Sequence, residues 1–207
     1  MTANDINDRI VADCMNALKK RKKGNPMDII EGIKERRSVR KYTQDKISHD
    51  ILKEIVDVAA YAPSWKNTQI VRYIIVEDKD KIEALTDSKV VLGFDFNGKT
   101  IGRAAAVALV TFVKGVSGYE KDGSFSTPKE DKWETFDAGI ATQTFCLAAH
   151  AKGIGTTILG IFDEEEVKKI INIPENQELA AMITMGYPEK MPACPPRMTS
   201  EELLTIY

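Results

Sequence analysis

Glu35-Arg36-Arg37-Ser38-Val39-Arg40-Lys41-Tyr42 sets four cations and a hydroxyl into the seven residues from Arg36 to Tyr42. The run follows Met27, Ile29, Ile30 and Ile33, whose spacing predicts a short helix fixed by packing that delivers the cluster at its end. A guanidinium is a planar fork of donors suited to a phosphate or a polarised carbonyl, and Ser38 adds a short donor. The same cations also suit a solvated last helical turn, where the helix dipole favours positive charge. If the chain is extended here, Arg36, Ser38 and Arg40 share one side and Lys41 is left to solvent.

Elsewhere the charge is balanced. Lys and Arg total 29 against 31 Asp and Glu, a net charge of -2, so a general nucleic-acid or membrane-surface binder is excluded and any anion site is local. With 207 residues and 43% hydrophobic composition the chain supports one substantial core. Cys14, Cys146 and Cys194 lie far apart, which fits a reduced compartment and supplies neither a disulfide framework nor a metal cluster. The start lacks a cationic-then-apolar leader and no run approaches the roughly 18 apolar residues of a membrane span, so the expected location is cytoplasmic. His49 and His150 are far apart in sequence and are expected to be structural.

Residues 5–23 read as an added N-terminal helix with a basic end, and a boundary is placed between an extension over 1–26 and a main domain over 27–207. Ser48 is the expected N-cap of a helix with Ile51, Leu52, Ile55, Val56, Val58 and Ala59 on one face, ended by Pro63. After the polar loop Ala62–Gln69, Ile70–Val76 reads as a buried strand, and residues 80–86 as a short helix. Val107–Val113 is a second buried strand, followed by a long polar connection over 115–132. Thr135–Lys152 reads as a well-buried helix that includes Phe136 and is stopped by Gly153. Thr156–Ile161 and Leu179–Met185 complete about four strands, with a helix between them capped by Asp163. Residues 187–207 read as an extended arm. The class is α+β or α/β.

Gly93-Phe94-Asp95-Phe96-Asn97-Gly98-Lys99-Thr100 matches the phosphate-loop expression G-x-x-x-x-G-K-[ST] letter for letter. The context opposes that reading, because Asp95 and two phenylalanines stand where backbone must approach phosphate. A tight hairpin turn at Asn97-Gly98 is expected instead. No nucleophile elbow and no plausible catalytic carboxylate pair occurs, which points to a bound cofactor as the reactive group.

Three segments together resemble the nitroreductase family of FMN-dependent NAD(P)H oxidoreductases: Arg36–Tyr42, Ala62–Gln69, and Ala138–Gln143 continuing through Gly153–Thr156 and Gly160 to Gly186–Pro188. The resemblance covers about residues 27–200. It implies an α+β nitroreductase-like fold with a central, mostly antiparallel sheet flanked by helices, and an intertwined homodimer with FMN at the interface. Carried over, Arg36, Arg37, Ser38 and Arg40 match contacts to the flavin phosphate, ribityl chain and ring edge. Pro63, Ser64 and Trp65 match the segment laid on the flavin by the partner, and Asn67 an amide facing the pyrimidine edge. Leu159 and Gly160 match the strand end near flavin N5, and Arg197 a late basic residue on the phosphate. The chain departs from the family's usual pattern at Ile70-Val71 and at Ile161. Trp65, Tyr119, Phe125 and Trp133 are candidates for the substrate cover. No residue is expected to be catalytic by itself and no metal is implied. The expected activity is ping-pong hydride transfer from NADH or NADPH through the flavin to a nitroaromatic or quinone-like acceptor. The same scaffold also resembles dehalogenases, enone reductases and flavin-degrading enzymes, and FMN binding without turnover is the remaining alternative.

Overall fold

The computed structural model describes residues 28–207; the predicted N-terminal helix and the boundary at residue 26 lie outside the described residues. Among the described residues one sheet of four antiparallel strands runs in the order β1-β2-β4-β3. The strands are β1 (Val71–Val76), β2 (Ala106–Val113), β3 (Gly155–Leu159) and β4 (Gln177–Gly186). Between and around them lie α1 (Ile29–Glu35), α2 (His49–Ala59), α3 (Lys79–Ala84), α4 (Asp95–Ile101), α5 (Lys132–Ala151), α6 (Glu164–Ile170) and α7 (Ser200–Leu203).

The two-residue period of β2 explains the layering, because its successive side chains enter different cores. Ala106, Ala108 and Val110 meet Leu52 and Ile55 of α2 and Phe145 and Ala149 of α5. Val107 and Leu109 pack with Ile82 of α3, Ile101 of α4 and Val167 of α6. Helices therefore cover both faces, and the expected α+β class with an antiparallel sheet is what the chain adopts. Ser48 caps α2 by accepting from the Ile51 amide, and Asp163 caps α6 by accepting from Glu166. Gly153 takes φ +78 just past the end of α5, the left-handed conformation that glycine adopts without strain.

Several sequence expectations are corrected. The apolar residues of α1 are not buried among the described residues: Ile29 is 72% exposed, Ile30 and Ile33 are exposed too, and the helix buries Gly32 and Glu35 instead. The cluster after it is held by other contacts. β1 is an edge strand and only Val76 within it is buried. In α5, Phe136 is 57% exposed, because the inward stripe runs through Glu134, Asp137, Ala138 and Ala141. Asn97-Gly98 is not a hairpin turn but the middle of α4, where a Cβ on Gly98 would come within 2.9 Å of the Thr86 carbonyl oxygen. The phosphate-loop pattern thus falls inside a packed helix whose Asn97, Gly98 and Thr100 are buried. No helix among the described residues is long and apolar enough to cross a membrane.

Two glycines position the basic cluster. Gly155 and Gly186 are register partners on β3 and β4, and the segment after α1 lies over both. A Cβ at Gly155 would stand 2.8 Å from Val39, and one at Gly186 2.9 Å from Tyr42. Backbone bonds complete the seam, from the Val39 amide to the Thr156 carbonyl and from the Thr43 amide to the Tyr187 carbonyl. Gly186→Ala is expected to cost about 2 kcal/mol through overpacking, read as a lower urea midpoint at unchanged slope.

Candidate functional site

The segment beyond α1 is extended, so its side chains alternate. Val39 and Tyr42 are buried, Arg36 and Ser38 half-buried, and Arg40 and Lys41 exposed. Arg37 turns inward: its guanidinium donates to the Lys34 and Arg36 carbonyls at 2.5 and 2.9 Å, partnering acceptors at the helix end. Arg36, Ser38 and Arg40 are left on the open side. Arg40 donates to the Ser38 carbonyl at 3.2 Å, and its guanidinium stands 5.6 Å from the ring centroid of Phe96.

Phe96 belongs to the first turn of α4, which brings the neighbouring Asn97 to the end of β3. The Asn97 side-chain amide donates to the Ile161 carbonyl at 3.3 Å. Leu159 is buried, whereas Gly160 and Ile161 are exposed, and a Cβ built on Gly160 would find no atom within 4 Å. Open space therefore lies before the backbone of the strand end, near the helix turn whose Phe96 carries Arg40. Arg197 is exposed on the C-terminal arm, and no hydrogen bond or ion pair joins it to the cluster among the described residues.

The second group of predicted residues forms the turn Pro63–Gln69. Lys66, Asn67 and Gln69 all have positive φ, at 46, 57 and 50, which for non-glycine residues costs on the order of 1 kcal/mol each. Several bonds hold this conformation. The Trp65 amide donates to both Asp137 oxygens at 3.1 and 3.0 Å, the Gln69 amide to Ser64 Oγ at 2.9 Å, and Thr68 and Ser117 share a hydroxyl contact at 2.9 Å. Lys66 pairs with Glu120 at 2.9 Å. A cavity of about 340 Å³ opens beside the turn, lined by Val56, Ala59, Pro63, Ser64, Tyr73 and Asp137 among others.

The four candidate cover residues form two pairs. Trp65 and Trp133 meet at 4.7 Å between centroids with their planes tilted by 41°, and Phe136 stands edge-on to Trp133 at 5.4 Å. Tyr119 and Phe125 meet at 4.9 Å across a bridge within the long connection. The Trp65 indole nitrogen is buried with no hydrogen-bond partner among the described residues.

Within one chain the two groups do not meet. Val71, just past the turn, pairs with Phe112, which pairs with Glu178 on β4; Ser38 bridges Thr156, which pairs with Met185 on the same strand. Four strand spacings and about seven residues of strand separate them, roughly 30 Å on the diagonal of the sheet. No residue of the Arg36–Arg40 cluster lines the cavity beside the turn.

Comparison with known proteins gives this geometry its context. The sequence profile of the nitroreductase family matches residues 33–187. The chain belongs to the nitroreductase family. An Archaeoglobus fulgidus protein with the provisional name NADH dehydrogenase/NAD(P)H nitroreductase is 30% identical over 158 residues, covering 74% of this chain and 82% of that protein. The Bacillus subtilis FMN reductase [NAD(P)H] is 25% identical over 184 residues, covering 84% of this chain and 71% of the relative. The crystal structure of a nitroreductase family protein from Clostridium novyi superposes with a TM-score of 0.68 at 26% identity, covering 82% of this chain and 89% of that one. A provisionally assigned nitroreductase from Desulfovibrio desulfuricans, solved in complex with FMN, has the same fold at 22% identity and a TM-score of 0.68, over 88% of this chain and 98% of that one.

The structure adds residues to this nitroreductase-family site that the sequence reading missed. Phe96 and Asn97 were hidden inside the false phosphate loop. Glu134 and Asp137 occur on the buried stripe of α5, where an acid among apolar positions was the available signal. Glu134 Oε1 accepts from the Gly115 and Val116 amides at 2.6 and 3.2 Å, and burial raises its carboxyl above the usual range.

Tyr42 closes the inner side of the cluster. Its hydroxyl reaches the Val39 carbonyl and, at 3.1 and 2.9 Å, the carbonyl and hydroxyl of Thr184. Burial pushes its phenol from 10.0 up to about 12, and burial raises Tyr73 equally. The folded chain holds these protons more tightly than the unfolded chain, so the linked stability is complete below pH 10 and is lost as pH rises through 12. A shift of this size corresponds to about 2–3 kcal/mol for Tyr42. Tyr42→Phe is expected to remove about half of this tyrosine-linked fall in urea stability between pH 10 and 12.

Proposed function

We propose that this chain is an FMN-dependent NAD(P)H oxidoreductase acting as a homodimer in the cytoplasm, with an electron-poor nitroaromatic or quinone as the acceptor. The observation that carries the reading is the exposed Arg40 over the Phe96 ring, next to Asn97, which reaches the Ile161 carbonyl beside the accessible backbone of Gly160, with Arg36 and Ser38 on the same extended segment. This donor set fits FMN: cations and a hydroxyl for a phosphate and polar chain, a further cation for a ring edge, and a strand end without a side chain in the way. When bound, FMN would supply the two-electron redox chemistry that links NADH or NADPH to the acceptor.

The chain's own residues hold, tune and shield. Arg36 and Ser38 would hold the phosphate and ribityl chain, joined by Arg197 from the arm. Arg40, kept in place by the Ser38 carbonyl and the Phe96 ring, would set positive charge at the ring edge, where it favours developing negative charge. Pro63, Ser64, Trp65 and Asn67 would close over the ring from the other subunit. The two groups lie at opposite corners of one sheet, farther apart than an isoalloxazine ring reaches, which supports a site shared between two copies. The exposed isoleucines of α1 fit the same assembly, being apolar surface left uncovered among the described residues. Trp133 would extend the Trp65 wall, and Tyr119 and Phe125 would lie farther out in the cover.

The deciding measurement is the absorption spectrum of the purified protein, expected to show flavin bands near one FMN per chain and to bleach with NADH or NADPH. Initial rates with a quinone should give parallel double-reciprocal lines. A colourless protein that refuses added FMN overturns the reading, and intersecting lines overturn the two-step exchange. Arg40→Ala should weaken FMN binding about tenfold or more, the scale of one charge-assisted hydrogen bond. Lys41→Ala should leave it within about twofold, and equal losses in the two variants would refute this division of the cluster.

A further inference from the structure

We infer that Asp137 is a positioning residue that locks the flavin-facing turn to the cover segment; this rests on the flavin reading above. Asp137 is 2% exposed and forms no ion pair among the described residues. Its carboxylate instead gathers donors from two separate parts of the chain: the Trp65 amide, through both oxygens, and the Ser117 hydroxyl. Thr68 then contacts Ser117, so the connections form a closed ring from Asp137 through Ser117 and Thr68 back along the turn to Trp65. Bonds to a charged acceptor are stronger than neutral ones, and burial leaves water no means of replacing them.

The turn needs such an anchor. Three non-glycine residues within four positions, Lys66, Asn67 and Gln69, are held in left-handed backbone, a conformation that persists only where the surroundings over-determine it. The turn's other fastenings, the Lys66–Glu120 pair and the Ser64 contact to Gln69, lie at exposed sites. Asp137 is the buried one. One helical turn earlier on α5, Glu134 grips the Gly115 and Val116 amides, so the same face of the helix fixes the start of the cover. Trp65 and Trp133 are thereby kept in contact, and the wall they make keeps a constant shape while acceptors enter and leave. The role is distinct from catalysis: Asp137 acts through the Trp65 backbone and exchanges no proton with a substrate.

Asp137→Asn keeps the volume but turns an amide NH₂ toward one of the donors, leaving that donor unpaired. In the flavin-loaded dimer the expected results are FMN binding weakened tenfold or more and a quinone KM raised at least fivefold, with kcat per bound flavin changed less than threefold. Ser117→Ala should shift both constants in the same direction by less, and the double variant should be no worse than Asp137→Asn alone, because both substitutions break one ring. Thr111→Val removes a buried hydroxyl bond to Gln177 on the sheet and is the control, lowering Tm without moving either constant. Wild-type constants in a folded Asp137→Asn, or a loss confined to Tm as in the control, overturn the proposal. Should Asp137→Asn fail to fold, unchanged constants in Ser117→Ala overturn it. Circular dichroism separates this result from the flavin reading, because the exciton signal of the Trp65–Trp133 pair needs no flavin. Loss of that signal in a variant that keeps the wild-type far-UV spectrum supports the positioning role even if the wild type takes up no FMN, and its persistence in every folded variant overturns the role.

Discussion

The absence of two side chains decides where everything else in the site can stand. Gly155 and Gly186 face each other across β3 and β4, and the bare strip they leave admits Val39 and Tyr42 to within contact distance of the sheet backbone. Once that segment is laid down, pleating does the rest: Val39 goes into the core, Arg36, Ser38 and Arg40 go outward, and Tyr42 is tied to Thr184. A cluster that reads in sequence as loose surface charge becomes a fixed array because its alternate residues are buried. The isoleucines of α1 contribute little to this, since the helix shows them to solvent in the single chain.

The sheet separates as well as supports. One edge carries the cationic segment and the other leads into the strained turn, so the two groups stand at separate corners. Backbone strain at Lys66, Asn67 and Gln69 is tolerated because α5 offers acids from its inward stripe, and the same acids hold the following connection. The long central helix thus has two tasks. It fills the core beside α2 with Phe145 and Ala149, and about two to four turns earlier it fastens two loops.

Much of this was legible in the amino-acid order. Strand β2, helix α5 and the caps at Ser48 and Asp163 follow from local pattern and capping chemistry, and the three segments pointed to the nitroreductase family, whose profile matches residues 33–187. What local pattern missed depends on tertiary contacts. Asn97-Gly98 has the letters of a turn, yet Gly98 is there to let α4 approach Thr86. Phe136 continues an apolar spacing but lies outside the inward stripe, which is occupied by acids whose partners are loop amides far away in sequence. β1 has the composition of a buried strand, and only the sheet order shows that it is an edge.

The seam between the cationic segment and the sheet also has a chronology. Tyr42 and Thr184 are 142 residues apart in sequence, so a ribosome adding about 5–20 residues per second has the Arg36–Arg40 array in hand for roughly seven to thirty seconds before β4 exists to receive it. During that interval the cationic segment lacks the strand that fixes its geometry. A part of the chain made early is thus among the last to acquire its shape, because its seam waits for the last strand to be made.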